Sequence, residues 1–325
     1  MRFGRSVRRP GIMNTIAKHF FRNMPGASQS KLLLGSDGNL WVVKFQNNPE
    51  QVRSLASEFI ATGIAQALRL TAPRCAPVYV SSAFVRSNPD MVICGAGGAK
   101  IECTEGFHCG SQYAGGLMPG QVLDFLPRSA LRNVTNLNEL VGMLAFDIWT
   151  GNADARQVVY RRTAKRNGYK AFFIDQGRCF SGADWTFSHS TSSRRYTTQG
   201  TYSDVVGWSS FEPWLGRIEE FSSDRLWSLM QETPEEWYHE QTSELERLFY
   251  NLVARRPLVR KTITQLKIIS PEMFPSWRLG TRKLTQAKRF PSNDRWLSAI
   301  GQLPFGTDAN NQANRTNAAP LGAAR

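Results

Sequence analysis

The sequence predicts an α+β fold with two lobes, the first rich in strands with one helix and the second mainly helical. Near the start, apolar runs at 32–34 and 40–45 flank the turn sequence SDGN, which is typical of a β-hairpin. Helical spacing of apolar residues follows at 50–70 and dominates from residue 137 onward. Two lobes of this kind leave a cleft between them, and clefts are where ligands bind.

Each remaining element of the first lobe has a local signal. Two prolines end the helix at 50–70, and residues 77–85 predict a strand. The stretch 87–120 is rich in Gly, Ser and Pro and predicts loops and short strands. Residues 121–126 predict a short extended segment that a proline ends.

The second lobe is expected to begin with a helix at 137–149, where apolar residues recur at helical spacing. A polar loop follows this helix. Apolar runs at 158–160 and 171–174 predict a second hairpin, and several helices are expected across 211–268.

Charge divides the chain into four segments. Residues 1–24 hold six basic and no acidic residues, and 276–325 hold eight basic and two acidic residues, so most of the net charge of +14 lies at the ends. We expect a basic extension at 1–24, a first lobe at 25–127, a second lobe at 128–275 and a basic, mostly disordered tail at 276–325. Basic ends attract any polyanion, so nucleic acid is expected to bind only non-specifically through the termini.

Composition also excludes several classes of protein. The five cysteines include no C-x-x-C pair, and the four histidines are scattered, so no zinc site is expected. We interpret the thiols as reduced and the compartment as cytoplasmic. No run approaches the ~18 apolar residues that span a bilayer, so no membrane partner is expected.

Two features of the first lobe are suited to binding phosphate. The small, polar turn at 26–31, which includes Ser28, Gln29 and Lys31, lets backbone N–H groups approach phosphate oxygens, although an ordinary turn has the same composition. Lys44 lies in an apolar strand and must reach solvent or an anion. Glu58, fourteen residues later in the helix, is positioned to pair with it, as in kinases that hold the α- and β-phosphates. An edge-strand lysine with a surface glutamate is the alternative.

Two acidic residues of the second lobe complete the pattern. Asp154 lies in the loop after a helix, where a carboxylate can orient or deprotonate a hydroxyl. Asp175 ends an apolar strand two residues before a glycine, a position suited to holding Mg²⁺. The predicted hairpin between the two acids brings them to one edge.

These residues resemble the HipA-like kinases, and most closely the compact branch related to the HipA toxin kinase. The resemblance covers roughly residues 25–260, through GASQSKLLL, WVVKF, SEFIATGIAQALRL, DFLP, FDIWTGNADARQ, FIDQGRCF and FEPWL. It implies a protein-kinase-like, two-lobed fold with a nucleotide-binding N-lobe and a catalytic C-lobe. It also implies ATP and Mg²⁺ as cofactors and a Ser or Thr of an unknown protein as the acceptor.

Carried over residue by residue, the resemblance implies a role for each matching position. It makes Asp154 the catalytic aspartate, Asp175 the metal aspartate and Lys44 the phosphate-binding lysine. The phosphate loop and the ion-pair partner would come from Ser28, Gln29, Lys31 and Glu58. The hinge that holds adenine would come from Asp124, Phe125 and Leu126.

The sequence departs from the family at one position. The family usually places Asn five residues after the catalytic Asp as a second metal ligand, and here that residue is Val159. Gln157 or Asn152 could supply the amide oxygen instead. Alternatively, Asp147 with Asn152 fits the D-x-x-x-x-N spacing, although Asp147 falls within the helical pattern. A catalytically inactive, nucleotide-binding pseudokinase is therefore the alternative to an active kinase, and polyanion binding through the termini is the third hypothesis.

Overall fold

The computed structural model describes residues 15–116, 120–164, 167–187, 201–239 and 241–277. The predicted disorder at 281–325 and the first fourteen residues of the predicted extension lie outside these ranges.

Within them the chain forms ten strands and eight α-helices. The strands β1 to β10 are Thr15–Asn23, Lys31–Gly35, Leu40–Lys44, Cys75–Val80, Val92–Cys94, Lys100–Glu102, Gly106–Gln112, Val122–Leu123, Gln157–Arg162 and Tyr169–Ile174. The helices α1 to α8 are Arg53–Ala67, Ser82–Arg86, Arg128–Leu131, Glu139–Thr150, Trp214–Glu219, Ser223–Gln231, Thr242–Arg255 and Leu258–Ile269.

The N-lobe is a closed five-stranded barrel in the order β1-β2-β3-β7-β4, with the separate β5–β6 hairpin beside it. The predicted hairpin is β2 and β3, in which Leu34 pairs with Leu40. Apolar side chains that alternate along these strands fill the barrel interior, among them the fully buried Trp41 and Val43.

The C-lobe is built on a three-stranded sheet, β10-β9-β8, and on the helices from α3 onward. One face of β9 and β10 is buried, including Tyr160 and Phe173, and it packs in the same hydrophobic core as helix α4. Helix α1 of the N-lobe contributes Leu55 and Ile60 to that core as well. The predicted α+β, two-lobed fold is confirmed, and α1 is one of the elements that join the two lobes.

The structure corrects two expectations in the N-lobe. The segment 15–23, which we assigned to a basic extension, is strand β1 and closes the barrel between β2 and β4. Thr15 and Ala17 are buried and Phe20 packs against the barrel core, but the register shifts twice along β1, so the apolar alternation is too weak to predict a strand. The predicted strand at 77–85 ends at Val80 and gives way to the short helix α2, because the Ser81 hydroxyl accepts from Phe84 N and caps it.

No helix within the described ranges has the length and apolar character needed to cross a membrane.

Candidate active site

Lys44, at the end of β3, lies between two carboxylates. Its Nζ donates to Glu58 Oε2 at 3.0 Å and to Asp175 Oδ1 at 2.6 Å. Lys44 is 8% exposed and Glu58 3% exposed, so this ion pair is shielded from water. The strand lysine and helix glutamate lie as the sequence predicted, and Asp175 of the C-lobe completes a three-residue cluster.

The charges in this cluster stabilise one another against the cost of burial. Burial alone would lower the pKa of Lys44, but the carboxylates of Glu58 and Asp175 outweigh it and raise that pKa. Burial would also raise the pKa of Asp175, but Lys44 and a hydrogen bond from Gln157 hold it below its ordinary value. Lys44 is therefore a cation and Asp175 an anion at neutral pH.

Helix α1 holds Glu58 in place through contacts with the C-lobe. The indole Nε1 of the fully buried Trp185 donates to Ser57 Oγ at 2.9 Å. The ring of Phe59 packs edge-on against Trp237 with centroids 5.9 Å apart. Arg53, at the start of the helix, donates to Ala183 O at 3.2 Å. Since these contacts flank Glu58 on both sides, they fix the helix in the position that forms the ion pair.

Asp175 lies immediately after β10 in a left-handed backbone conformation, with φ of 59°. Such a conformation is uncommon for a residue other than glycine, and it persists only where surrounding contacts determine it. Gly177 follows closely: a Cβ built there would lie 3.4 Å from Lys44 Nζ and 3.5 Å from Glu58 Oε2. These are ordinary van der Waals distances, so the backbone turn passes beside the ion pair without itself requiring a glycine at 177.

Gln157 is the amide beside Asp175. It begins β9 opposite Ile174, and its Nε2 donates to Asp175 Oδ2 at 2.6 Å. Val159, which stands at the family's usual asparagine position, pairs with Phe172 two residues further along the ladder. A strand rises about 3.4 Å per residue, so Val159 lies about 7 Å further from the Asp175 end of the strand than Gln157 does. The register therefore brings the amide of residue 157 to Asp175.

Asp147 is engaged in a different network. It lies within helix α4, as its helical spacing predicted, and forms an ion pair with the buried Arg156, whose Nε lies 3.2 Å from Asp147 Oδ2. Arg156 also donates to Gln176 Oε1 at 2.7 Å and to Ile174 O at 3.3 Å. The pair joins the end of α4 to the turn that carries Asp175, which gives Asp147 a positioning role.

Asp154 lies in the loop between α4 and β9 and is half-buried. One carboxylate oxygen accepts from Ala155 N at 2.8 Å, and no other hydrogen bond or ion pair of this carboxylate is found among the described residues. Ala153 N donates to Arg178 O at 3.0 Å, which ties the loop to the turn after Asp175. The two segments that carry the predicted catalytic acids are therefore bonded to each other, and Asp154 retains acceptor capacity.

Asn152 shapes this loop through both ends of its side chain. Its Nδ2 donates to Asp147 Oδ1 at 3.1 Å, and its Oδ1 accepts from Asp154 N at 3.1 Å. The amide oxygen is thus committed to the backbone of the loop. Of the two residues expected to replace the missing ligand, Gln157 contacts Asp175 and Asn152 contacts Asp147.

The loop before β2 is fastened to the β5–β6 hairpin. The side-chain amide of Gln29 donates to Cys94 O at 2.9 Å and accepts from Cys94 N at 2.7 Å. Lys31, 1% exposed, donates to the carbonyls of Gln29 and Val92, each at 2.7 Å, and burial lowers its pKa. Ser28 Oγ lies 3.0 Å from Ser30 Oγ. These side chains hold the loop in shape, and Lys31 is separate from the Lys44 cluster.

The predicted hinge follows β8, which pairs with β9 in the C-lobe sheet. Leu126 is buried in the core, whereas Asp124 is exposed and Phe125 is 71% exposed. Within the described part of the chain, no backbone–backbone hydrogen bond engages the peptide groups of 124–126. These groups are therefore available to a ligand.

Some residues of the site were not singled out from the sequence. The sequence assigned no site role to Arg156, Trp185 or Glu50. Glu50 is half-buried; burial raises its pKa, and Lys44 and Asp175 are close enough to influence it. Although Arg156 lies in the matching stretch FDIWTGNADARQ, the roles of these three residues depend on tertiary contacts that the sequence does not show.

The donor set at Asp175 fits a hard divalent cation. No group of three His, Cys, Asp or Glu side chains suited to a metal is found in the described ranges. Mg²⁺ needs fewer protein ligands, since it is usually bound by one or two carboxylates together with phosphate oxygens and water. Asp175 with the amide of Gln157 provides such a set once the amide presents its oxygen.

Comparison with known proteins gives a family and several distant structural likenesses. The family model described as HipA-like kinase matches residues 16–263. No curated protein matches the chain in sequence. Among solved structures, hydra Fam20 with sugar is 13% identical, with a TM-score of 0.45 over 79% of this chain and 86% of that one. The Golgi casein kinase with Mn/ADP bound is 10% identical, with a TM-score of 0.44 over 77% and 72%. The Helicobacter pylori proinflammatory kinase CtkA is 14% identical, with a TM-score of 0.43 over 73% and 96%.

Proposed function

The chain belongs to the HipA-like kinase family, and we propose that it is an ATP- and Mg²⁺-dependent kinase that phosphorylates a serine or threonine of a protein. The observation that carries the proposal is the position of Lys44 between Glu58 and Asp175. It unites a lysine suited to phosphate oxygens, the glutamate that orients it and the acid suited to a metal ion.

The residues divide the work of phosphoryl transfer. Lys44, oriented by Glu58, binds the α- and β-phosphate oxygens. Asp175 and Gln157 would hold Mg²⁺, which would neutralise the charge that develops on the phosphates. Asp154 accepts the proton of the acceptor hydroxyl, and its half-buried carboxylate is suited to that role because one oxygen is unengaged within the described residues. Positioning and charge neutralisation supply most of the catalysis in reactions of this class.

The nucleotide is held from two further sides. The backbone of the loop at 28–31, kept in shape by Gln29 and Lys31, covers the phosphates. The peptide groups of 124–126 bind the edge of the adenine. Val159 and Phe172, both half-buried on the same face of the sheet as Gln157, provide an apolar surface for the base.

The test is the thermal midpoint of the purified chain with ATP, measured with and without Mg²⁺. A ligand that binds only the folded state at about 100 times its Kd stabilises the protein by ~2.7 kcal/mol. A Mg²⁺-dependent shift that Asp175→Ala removes, and that the exposed control Asp224→Asn retains, is the expected result. Phosphate transfer from labelled ATP to a protein, followed by identification of the phosphorylated residue type, then tests the reaction.

Each other outcome counts against the proposal. A shift that needs no Mg²⁺, together with no transfer, would favour the pseudokinase. If no nucleotide shifts the thermal midpoint, the chain has no nucleotide-binding site.

A further inference from the structure

Two thiols lie against each other on the barrel wall, and the proposed phosphoryl transfer uses neither of them. Cys75 Sγ on β4 lies 3.2 Å from Cys109 Sγ on β7, and both cysteines are free. In the antiparallel β4–β7 ladder Cys75 pairs with Ser111 and Pro77 pairs with Cys109. The two cysteines are therefore diagonal neighbours whose side chains point to the same face of the sheet.

That face also carries Lys44. On its other side, β7 pairs with β3, and Cys109 lies directly opposite Lys44 in that ladder. Directly opposed residues of a ladder share a face, so the thiol pair and the lysine stand on one side of three adjacent strands. A covalent change at Cys109 therefore acts on the strand position next to the ion pair.

The two thiols differ in access to solvent. Cys75 is half-buried, whereas Cys109 is 1% exposed, and burial raises the pKa of Cys109 well above its ordinary value. A dissolved oxidant reaches Cys75 first, and Cys109 is the thiol already in contact to react with the product.

We propose that Cys75 and Cys109 form a disulfide when the protein meets a peroxide, which makes them a modification site next to Lys44. The Cys75 thiolate attacks the peroxide O–O bond and becomes a sulfenic acid, and for hydrogen peroxide the released hydroxide takes a proton to leave as water. Cys109 sulfur then attacks the Cys75 sulfur and expels hydroxide, which takes the Cys109 proton and leaves as a second water. The two thiols are oxidised by two electrons, and the peroxide is reduced by two.

The effect on nucleotide binding rests on the proposed function. A disulfide S–S bond is about 2.05 Å long, so the two sulfur atoms must approach by about 1 Å, which moves the Cys109 side chain on the face that it shares with Lys44. Because Lys44 is the ladder partner of that residue, the oxidised protein binds ATP more weakly.

The experiment treats the full chain with hydrogen peroxide, quenches it, and alkylates the remaining thiols after denaturation. Peptide mass mapping is expected to find Cys75 joined to Cys109, with Cys94, Cys103 and Cys179 alkylated. Dithiothreitol should return all five cysteines to the alkylated pool. The variants Cys75→Ser and Cys109→Ser should each lose the cross-link, while Cys94→Ser, which removes an exposed thiol, should keep it.

Recovery of Cys75 and Cys109 as separate alkylated residues would overturn the proposal, as would a sulfinic acid at Cys75 beside a free Cys109. The thermal shift with ATP and Mg²⁺ is measured on the same samples. A smaller shift after oxidation that reduction restores supports the link to Lys44, and an equal shift refutes that link. If the reduced protein gives no shift at all, the proposed kinase function fails, while the mass mapping still decides the disulfide.

Discussion

Lys44 Nζ donates to Asp175 Oδ1 at 2.6 Å across 131 residues of sequence. This contact joins the barrel of the N-lobe to the sheet of the C-lobe, and it does so at the ion pair with Glu58. The Lys44 cluster is therefore complete only when residues of both lobes are in place.

Replacing Lys44 with methionine should destabilise the fold. The substitution leaves Glu58 buried without its partner, and breaking a buried ion pair on one side costs about 3–5 kcal/mol. Urea unfolding of Lys44→Met measures this cost. Lys18→Met, on the exposed face of β1, is the control and should change the free energy of unfolding by less than about 0.5 kcal/mol. Equal stability of Lys44→Met and the wild type would mean that Lys44 is not paired as described.

The stabilisation by this cluster should depend on pH only at the extremes. The pKa of Asp175 lies below its ordinary 3.8, so its contribution is present above that pH and is lost as pH falls through the lowered value. The pKa of Lys44 is raised above 10.5, so its contribution is present below that pH and is lost only as pH rises through the raised value.

Urea unfolding of the wild type and Asp175→Asn as a function of pH checks the acid side. The difference in their free energy of unfolding should be constant from about pH 5 to 9 and should shrink below about pH 4. A difference that already shrinks near pH 6 would contradict the lowered pKa of Asp175.

Gln157 and Val159 should respond differently to substitution. Gln157→Ala removes the amide beside Asp175, and we expect the Mg²⁺ affinity in the presence of ADP to fall at least about tenfold. Val159→Asn places an amide two residues further along the strand and should not raise Mg²⁺ affinity. Titration of Mg²⁺ followed by thermal midpoint compares the two variants. A higher Mg²⁺ affinity in Val159→Asn than in the wild type would mean that the family's usual ligand position can still bind the metal in this chain.

Substitutions of Asp154 and Asp147 should affect different properties, the first mainly catalysis and the second mainly stability. Asp154→Asn should reduce transfer by about 10²–10⁴-fold, as expected for loss of a general base, with little change in unfolding or ATP binding. Asp147→Asn removes the charge opposite the buried Arg156 and should destabilise the fold by on the order of 3 kcal/mol. Turnover and thermal unfolding of both variants measure this. Full turnover in Asp154→Asn with none in Asp147→Asn would mean that Asp147, and not Asp154, is the catalytic aspartate.

Elements with strong local signals could be predicted from the sequence. The hairpin β2–β3, helix α1 and the hairpin β9–β10 follow from apolar periodicity and turn residues, and they carry Lys44, Glu58 and Asp175. The suspected family is confirmed by the match over residues 16–263. The Lys44–Glu58 ion pair could also be predicted, because a strand and the helix that follows it are neighbours in space.

The remaining features depend on partners that are distant in sequence. Strand β1 is stabilised by pairing with β2 on one edge and β4 on the other, and the sequence of 15–23 alone does not indicate this pairing. Counting five residues from Asp154 led to Val159, whereas the ladder register with β10 brings Gln157 to Asp175. The roles of Arg156 and Trp185 likewise depend on buried contacts with Asp147 and Ser57.

The end of helix α4, just before the loop of Asp154, is held from far downstream. Arg255 on α7 donates to the carbonyls of Trp149 and Ile148 at 2.8 and 2.7 Å, and Trp149 Nε1 donates to Leu252 O at 2.9 Å. During translation the ribosome must therefore synthesise about a hundred residues beyond this loop before the loop acquires its anchor. A nascent or truncated chain that ends before Arg255 carries every predicted catalytic side chain and still lacks this support at the end of α4.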